Sequence, residues 1–136
     1  MDNLQTVKDL YGAFFVGDLP KILGILSPDV DWIQYCPKEV IPFGGHYHGH
    51  EGVTQFFTLV GQNAEVEKYE PREFQAEGNA VIVEGWQRVK ARSTGKAWET
   101  NFVHIYTFEK GLIVKVREYY NTLPMAQAFS AAEPVH

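Results

Sequence analysis

The stretch that decides the fold is AWETNFVHIYTF at 97–108, followed by the turn EKG at 109–111 and by LIVKVREYYN at 112–121. Two runs rich in aromatic and β-branched residues, on either side of a short turn that ends in glycine, are typical of a β-hairpin. Side chains alternate between the two faces of a strand. The sequence therefore predicts one mostly apolar face on each strand of this hairpin.

One predicted face of the hairpin contains both a histidine and a carboxylate. That face comprises Trp98, Thr100, Phe102, His104, Tyr106 and Phe108 on the first strand, and Val114, Val116, Glu118 and Tyr120 on the second. If the turn centres on Lys110, His104 lies opposite Val116 and diagonal to Glu118, at about 7–8 Å, within reach of long side chains. Because ionisable groups are seldom buried without a partner, this pair indicates a pocket rather than a solid core.

Length and composition fit one soluble domain. The chain has 136 residues, of which 45% are hydrophobic and 21% charged, as is ordinary for a globular protein. We expect a single domain over residues 1–130 and a disordered tail at 131–136. The formal net charge of -5 and the scattered Lys and Arg residues argue against a nucleic-acid partner. A single cysteine, Cys36, and the absence of an apolar run near the ~20 residues that span a bilayer favour a cytoplasmic protein with no membrane partner.

The hydrophobic patterns along the rest of the chain predict an α+β fold. The predicted elements are two helices within 3–26, a strand at 30–36, a loop at 37–49, a helix at 50–63, strands at 65–76, 79–91, 97–108 and 112–121, and a short helix at 123–129. Because helices precede most of the strands, and those strands follow as consecutive hairpins, we expect a curved antiparallel sheet wrapped around three N-terminal helices. A strongly bent sheet cannot be filled flat by helices, so a cavity is expected between the two layers.

Several segments of the chain resemble one known family. They are the tyrosine-containing first helix that ends in GDL at 17–19, HGHEGVTQFF at 48–57, STGK at 93–96 and FEKGLIVKVREYYN at 108–121. Over about residues 4–129 the chain resembles the SnoaL-like polyketide cyclases, which belong to the wider group of ketosteroid isomerase and nuclear transport factor 2. The resemblance implies a cone-shaped α+β barrel, commonly dimeric through its outer sheet face. It leaves the function open, because this fold hosts isomerases, cyclases, dehydratases, epoxide hydrolases and non-enzymatic binders.

The comparison with ketosteroid isomerase separates this chain from that enzyme. Gln34 matches the position of the general base of that family, and glutamine cannot abstract a proton. His104 matches its protonated aspartate, and Tyr11 is nearest to the tyrosine of its first helix. Asn121 stands where many members of the wider group have aspartate. The pair of His104 and Glu118 is similar to the acid/base arrangements of SnoaL-like cyclases and related dehydratases, which implies chemistry without a metal or cofactor.

We predict His104 and Glu118 as the catalytic residues. A carboxylate on one ring nitrogen would fix the histidine tautomer and free the other nitrogen for proton transfer. The alternatives are a core histidine that serves stability alone, and a salt bridge from Glu118 to Arg88 or Arg117. The expected ligand is a small, mostly apolar, cyclic compound with a carbonyl or hydroxyl group. The residues predicted to bind it are Tyr11, Phe14, Trp32, Gln34, His46, Phe57, Phe102, Tyr106 and Tyr120.

Two further features of the sequence suggest sites outside the hairpin. His46, His48 and His50 alternate in a glycine-rich segment, but such a loop without cysteine lacks the fixed framework of a stable zinc site, and we place His46 at the pocket mouth. Trp86 lies in a charged row on the predicted outer face, which indicates an interface, so we expect a homodimer through that face. A ligand-binding or interaction module without catalysis is the alternative function.

Overall fold

A computed structural model describes residues 2–131, and of the tail predicted to be disordered at 131–136, residues 132–136 lie outside the described residues. The elements are α1 (Asn3–Val16), α2 (Leu19–Ile25), β1 (Leu26–Gln34), β2 (Gly45–His48), α3 (Gly49–Asn63), β3 (Ala64–Glu77), β4 (Ala80–Ala91), β5 (Ala97–Glu109), β6 (Leu112–Tyr120) and α4 (Thr122–Phe129). The strands form one curved, open sheet in the order β2-β1-β6-β5-β4-β3. The α+β class and the short C-terminal helix are therefore confirmed.

Three of the helices begin at a residue whose side chain caps the helix, and α1 ends at a glycine. The Asp2 carboxylate accepts a hydrogen bond from the Gln5 amide at 2.7 Å, and Gly17, at φ 68°, ends α1 in the left-handed region. Asp18 caps α2 and Asn121 caps α4 in the same way as Asp2. α1 packs against β3 and β4, and α3 packs against β1 and β2. None of the helices in the described range is long and apolar enough to cross a membrane.

The sheet is mixed, which corrects the expectation of an entirely antiparallel one. β1 pairs in parallel with β6, so the first strand and the last strand of the chain are neighbours. The segment 37–49, predicted to be a loop, contains the four-residue strand β2, which pairs antiparallel with β1. Its high glycine and proline content concealed this short strand. β1 also begins at Leu26 rather than at residue 30.

The β5–β6 hairpin differs from its predicted register by two residues. His104 lies directly opposite Glu118, whereas we predicted that it lies opposite Val116. The pairing shifts after Thr107, and the resulting bulge turns Ile113 inward. Because a shift of two residues keeps side chains on their own faces, the predicted inward face of β5 is confirmed. Its buried residues are Trp98, Thr100, Phe102, His104, Tyr106 and Phe108.

Irregular pairing helps the sheet to curve around the helices. The β3–β4 register shifts between Pro71 and Glu73, and bulges of this kind bend a strand and increase its twist. Proline is tolerated there because β3 is an edge strand. On β4, Gly85 lies opposite Phe102, and a Cβ at Gly85 would overlap the Phe102 ring. The glycine therefore leaves room for this ring on the concave side of the sheet.

Candidate active site

Strands β5 and β6 bring His104 and Glu118 together on the concave face. Nε2 of His104 lies 3.0 Å from Oε2 of Glu118, closer than the diagonal arrangement that we predicted. The histidine has no exposed surface, and Glu118 is 4% exposed. Arg88 forms ion pairs with Glu67 and Glu99 on the surface instead. Glu118 thus pairs with the buried imidazole.

The Glu118 carboxylate lies among three hydrogen-bond donors. Trp32 Nε1 on β1 donates to Oε1 at 2.6 Å, and the Tyr120 hydroxyl donates to Oε2 at 3.3 Å. His104 supplies the third contact. An ionised carboxylate only accepts hydrogen bonds, and such charge-assisted bonds are stronger than neutral ones. The surroundings of Glu118 therefore suit an anionic acceptor in a buried site.

A chain of hydroxyl groups orients the imidazole from its other side. The Tyr106 hydroxyl donates to the Tyr11 hydroxyl oxygen at 2.8 Å, and that hydroxyl lies 2.9 Å from Nδ1 of His104. Because the Tyr11 oxygen already accepts from Tyr106, its own proton is directed to Nδ1. Nε2 then has the proton and donates to Glu118. The neutral tautomer of His104 thus continues a donor chain that ends on the carboxylate.

The tyrosines around this chain remain protonated at neutral pH. Burial raises the pKa of Tyr11, Tyr106 and Tyr120 well above the ordinary value, and the negative charge of Glu118 raises it further. Burial also raises the pKa of Tyr69 in the same way. Each hydroxyl can therefore act as a hydrogen-bond donor throughout the physiological pH range.

A cavity of about 370 Å³ lies between the concave face of the sheet and helices α1 and α3. The predicted site residues that line it are Phe14, Trp32, Gln34, Phe57, Glu118 and Tyr120. His104, Tyr11, Phe102 and Tyr106 are buried and are not part of this lining. The carboxylate therefore faces the cavity, and the imidazole supports it from behind.

The cavity wall also contains residues that we did not predict as ligand contacts. They are Phe15, Phe43, Phe56, Val60, Ala64, Val66, Tyr69, Gln87, Val89 and Trp98. Strand alternation could have indicated two of them, since Trp98 shares the inward face of β5 with His104 and Gln87 lies between the inward-facing Gly85 and Val89 on β4. For Tyr69, on the bulged strand β3, alternation gave no such signal.

The histidines of the 37–49 segment and of α3 are not among the residues that line the cavity, so the structure does not place His46 at the predicted pocket mouth. His46 Nε2 and His48 Nδ1 lie 2.9 Å and 3.0 Å from the same carboxylate oxygen of Asp31, on exposed side chains. Hydrogen bonds from His48 and His46 lower the pKa of this carboxyl group. His50 Nε2 contacts the carbonyl oxygen of Leu26 at 2.9 Å. Within residues 2–131 no group of three or more histidine, cysteine, aspartate or glutamate side chains is arranged to hold a metal ion.

Comparison with known proteins identifies the family that this fold and site represent. The sequence matches the model of the SnoaL-like domain over residues 7–116, and the chain belongs to this family. An NTF2-like protein from Burkholderia pseudomallei is 35% identical, with 96% of this chain and 100% of that chain covered and a TM-score of 0.86. An NTF2-like protein from Burkholderia xenovorans is 32% identical, with 94% of this chain and 95% of that chain covered and a TM-score of 0.84. The predicted family and fold are thus confirmed.

A further similar structure contains a small molecule. TerC, co-crystallised with polyporic acid, is 26% identical to this chain, with 93% of this chain and 97% of that chain covered and a TM-score of 0.81. No curated protein matches the sequence.

Proposed function

We propose that this SnoaL-like protein is an enzyme that transfers protons within a small, mostly apolar, cyclic substrate bearing a carbonyl or hydroxyl group. Isomerisation, intramolecular aldol cyclisation and dehydration are the reactions that this chemistry serves, with no metal or cofactor. The observation that supports the proposal is the position of Glu118. It is the one acidic side chain among the described residues that line the cavity, and three donors hold it in place.

Glu118 acts as the general base in this proposal. Its carboxylate faces the cavity, where it meets a substrate C–H next to a carbonyl group, or a substrate hydroxyl. As the proton leaves, negative charge develops on the substrate oxygen. The Tyr120 hydroxyl, which stays protonated because burial raises its pKa, turns its one proton from Glu118 to that oxygen once the carboxylate has lost its charge. The two groups lie close together, since the same hydroxyl is 3.3 Å from Glu118.

His104 positions Glu118 through a hydrogen bond from Nε2. Both ring nitrogens are already engaged, Nδ1 with Tyr11 and Nε2 with Glu118, and the ring has no exposed surface. Contact with the substrate is therefore made by the carboxylate. The imidazole donates from Nε2 across this 3.0 Å contact, and the carboxylate itself keeps the proton that it takes from the substrate and returns it to the substrate.

The aromatic wall favours a flat substrate. Phe14, Trp32 and Phe57 form a cluster on the cavity wall, with ring centroids 5.5 Å to 6.3 Å apart. Aromatic surfaces arranged in this way bind planar rings by edge-to-face and stacking contacts. The similar TerC has been co-crystallised with polyporic acid, which supports a small organic ligand for this chain as well.

Proton abstraction can be tested before the natural substrate is known. 2-Tetralone is a flat bicyclic ketone with an acidic C–H, and its exchange with deuterium in D2O is followed by proton NMR. We expect the protein to accelerate this exchange and Glu118→Gln to abolish the acceleration. His46→Ala is the matched control, since His46 lies outside the cavity, and it should leave the rate unchanged. Equal exchange rates for the protein and its Glu118→Gln variant would contradict the assignment of the base.

A ligand-binding module without catalysis is the second candidate. The observation that favours it is Gln34, an amide at the position that the resemblance assigns to a general base. Saturable binding of 2-tetralone, without any acceleration of exchange, would support this alternative.

A further inference from the structure

Two residues of the cavity wall each have a buried polar atom that lacks a hydrogen-bond partner. Among the described residues the buried side-chain atoms of this kind are Gln34 Oε1, Trp98 Nε1 and Arg117 Nε, and the first two belong to residues that line the cavity. Gln34 and Trp98 are each 3% exposed. Buried polar atoms in proteins are almost always paired. An unpaired acceptor and an unpaired donor on one cavity wall therefore point to ligand groups of opposite polarity.

The Gln34 side chain presents its carbonyl oxygen because its amide nitrogen is already in use. The amide hydrogen-bonds the Tyr120 hydroxyl, which itself donates to Glu118. The Gln34 NH2 group must therefore be the donor to Tyr120, and Oε1 is left as an acceptor. Gln34 is also paired with Glu118 in the parallel β1–β6 register. A ligand hydroxyl or N–H that binds Gln34 thus lies beside the proposed base.

Trp98 lies on a different part of the cavity wall. Its indole packs against Phe129 with ring centroids 5.3 Å apart, and Phe129 packs against Phe43 at 5.8 Å, so the N–H has a fixed position. An indole N–H only donates, and the matching ligand group is an acceptor such as a carbonyl oxygen. Gln34 pairs with Glu118, and Glu118 pairs with His104, so these three residues lie at one level of the sheet. Trp98 precedes His104 by six positions on β5, which is roughly 20 Å of strand at about 3.3 Å per residue. The two unpaired atoms therefore belong to separate regions of the wall.

We infer that the ligand is an elongated flat molecule with a hydroxyl group at one end, bound by Gln34, and a carbonyl oxygen at the other, bound by Trp98. These two residues determine specificity, and the aromatic wall between them binds the ring system. The inference rests on the proposed function in one respect, because the hydroxyl end is the one next to Glu118. The hydrogen-bonding pattern itself concerns binding alone.

Three naphthalenes of nearly equal size test the two contacts separately. 6-Hydroxy-2-acetylnaphthalene has the hydroxyl and the carbonyl at opposite ends. 6-Methoxy-2-acetylnaphthalene blocks the donor, and 6-ethyl-2-naphthol removes the carbonyl. Dissociation constants are measured by ligand fluorescence and calorimetry. We expect the first compound to bind about tenfold more tightly than either of the others, the usual effect of one buried hydrogen bond.

Two substitutions should each remove one of these preferences. Trp98→Phe should abolish the advantage over 6-ethyl-2-naphthol and preserve the advantage over the methoxy compound, and Gln34→Met should do the reverse. Phe57→Leu is the control, because a change in the apolar wall should weaken all three compounds alike. If Trp98→Phe fails to fold, the three affinities of the unmodified protein still decide the matter. Equal affinities, no binding up to the solubility limit, or equal weakening of all three compounds by both polar-residue variants would overturn the inference.

The fate of the inference can be separated from that of the proposed reaction. Glu118→Gln should lose the acceleration of deuterium exchange and still rank the three naphthalenes in the same order. If the unmodified protein ranks them as expected but catalyses no exchange, the reaction proposal fails and the binding assignment stands. If exchange occurs and the three affinities are equal, the binding assignment fails and the reaction proposal stands.

Discussion

Replacement of His104 by leucine tests whether the buried donor chain holds Glu118 in place. Leucine fills a similar volume but makes no hydrogen bonds, so the Tyr11 hydroxyl and the Glu118 carboxylate each lose a partner. A buried polar group that loses its partner costs about 1–3 kcal/mol, and two such groups lower the free energy of unfolding by about 2–6 kcal/mol. In a domain of this size a loss of 1 kcal/mol lowers the melting temperature by about 3–4 °C, so we expect His104→Leu to melt roughly 6–24 °C lower.

His104→Gln is the matched control for this experiment. Its amide nitrogen can donate to Glu118 and its amide oxygen can accept from Tyr11, so most of the hydrogen bonding survives and melting should stay within a few degrees. Because the amide keeps a donor to Glu118, we expect this variant to retain most of the acceleration of 2-tetralone exchange, whereas His104→Leu should lose it.

Urea denaturation at pH 7 and scanning calorimetry measure the stabilities. The double variant Tyr11→Phe/His104→Leu should lose less than the sum of the two single changes, because the hydroxyl that His104→Leu leaves unpaired is then absent. If His104→Leu melts within about 2 °C of the unmodified protein, the chain of hydrogen bonds contributes little to stability, and the argument that it fixes Glu118 fails.

Two further predictions concern residues outside this chain. Burial raises the pKa of the Cys36 thiol to about 12, with the charge of Glu118 adding to the effect, so the thiol is protonated at pH 8. We expect no reaction with 5,5'-dithiobis(2-nitrobenzoate) at that pH in the native protein and full reaction in urea; rapid native reaction would contradict this. Trp86 and Tyr119 border a surface depression of about 460 Å³ on the outer sheet face. We expect the protein to be a homodimer and Trp86→Glu to be a monomer, as judged by the molar mass from light scattering. An unchanged mass would exclude Trp86 from the interface.

The composition of each strand face could be predicted from the sequence, but not the detailed pairing of the strands. Alternation placed His104 and Glu118 on one face, and both are buried there. It could not show which residues are opposite each other, because a shift of two residues leaves every side chain on its own face. The turn pairs Glu109 with Leu112, which moves the register by one residue, and the bulge after Thr107 moves it by one more, so that the imidazole and the carboxylate come into direct contact.

Strand pairing that the sequence did not reveal also explains why the predicted position of His46 differs from the position in the structure. Within a segment rich in glycine and proline, nothing in the sequence indicated that residues 45–48 pair with β1. That pairing sets His46 opposite Ile33 and puts its side chain next to Asp31. Whether a buried residue lines the cavity or lies behind it depends on depth below the sheet surface. Alternation does not record depth, so His104 and Trp98 could not be told apart in this respect.

The parallel pairing of β1 with β6 has a consequence for the synthesis of the protein. Trp32 and Glu118, which meet at the base of the cavity, are 86 positions apart in the chain. Contacts of such long sequence separation form only after the intervening chain has been made and ordered. Before the ribosome has translated β6, the nascent chain contains Trp32 but not yet Glu118. Acid/base activity should therefore arise only in the finished polypeptide, and a product truncated before residue 112 should have none.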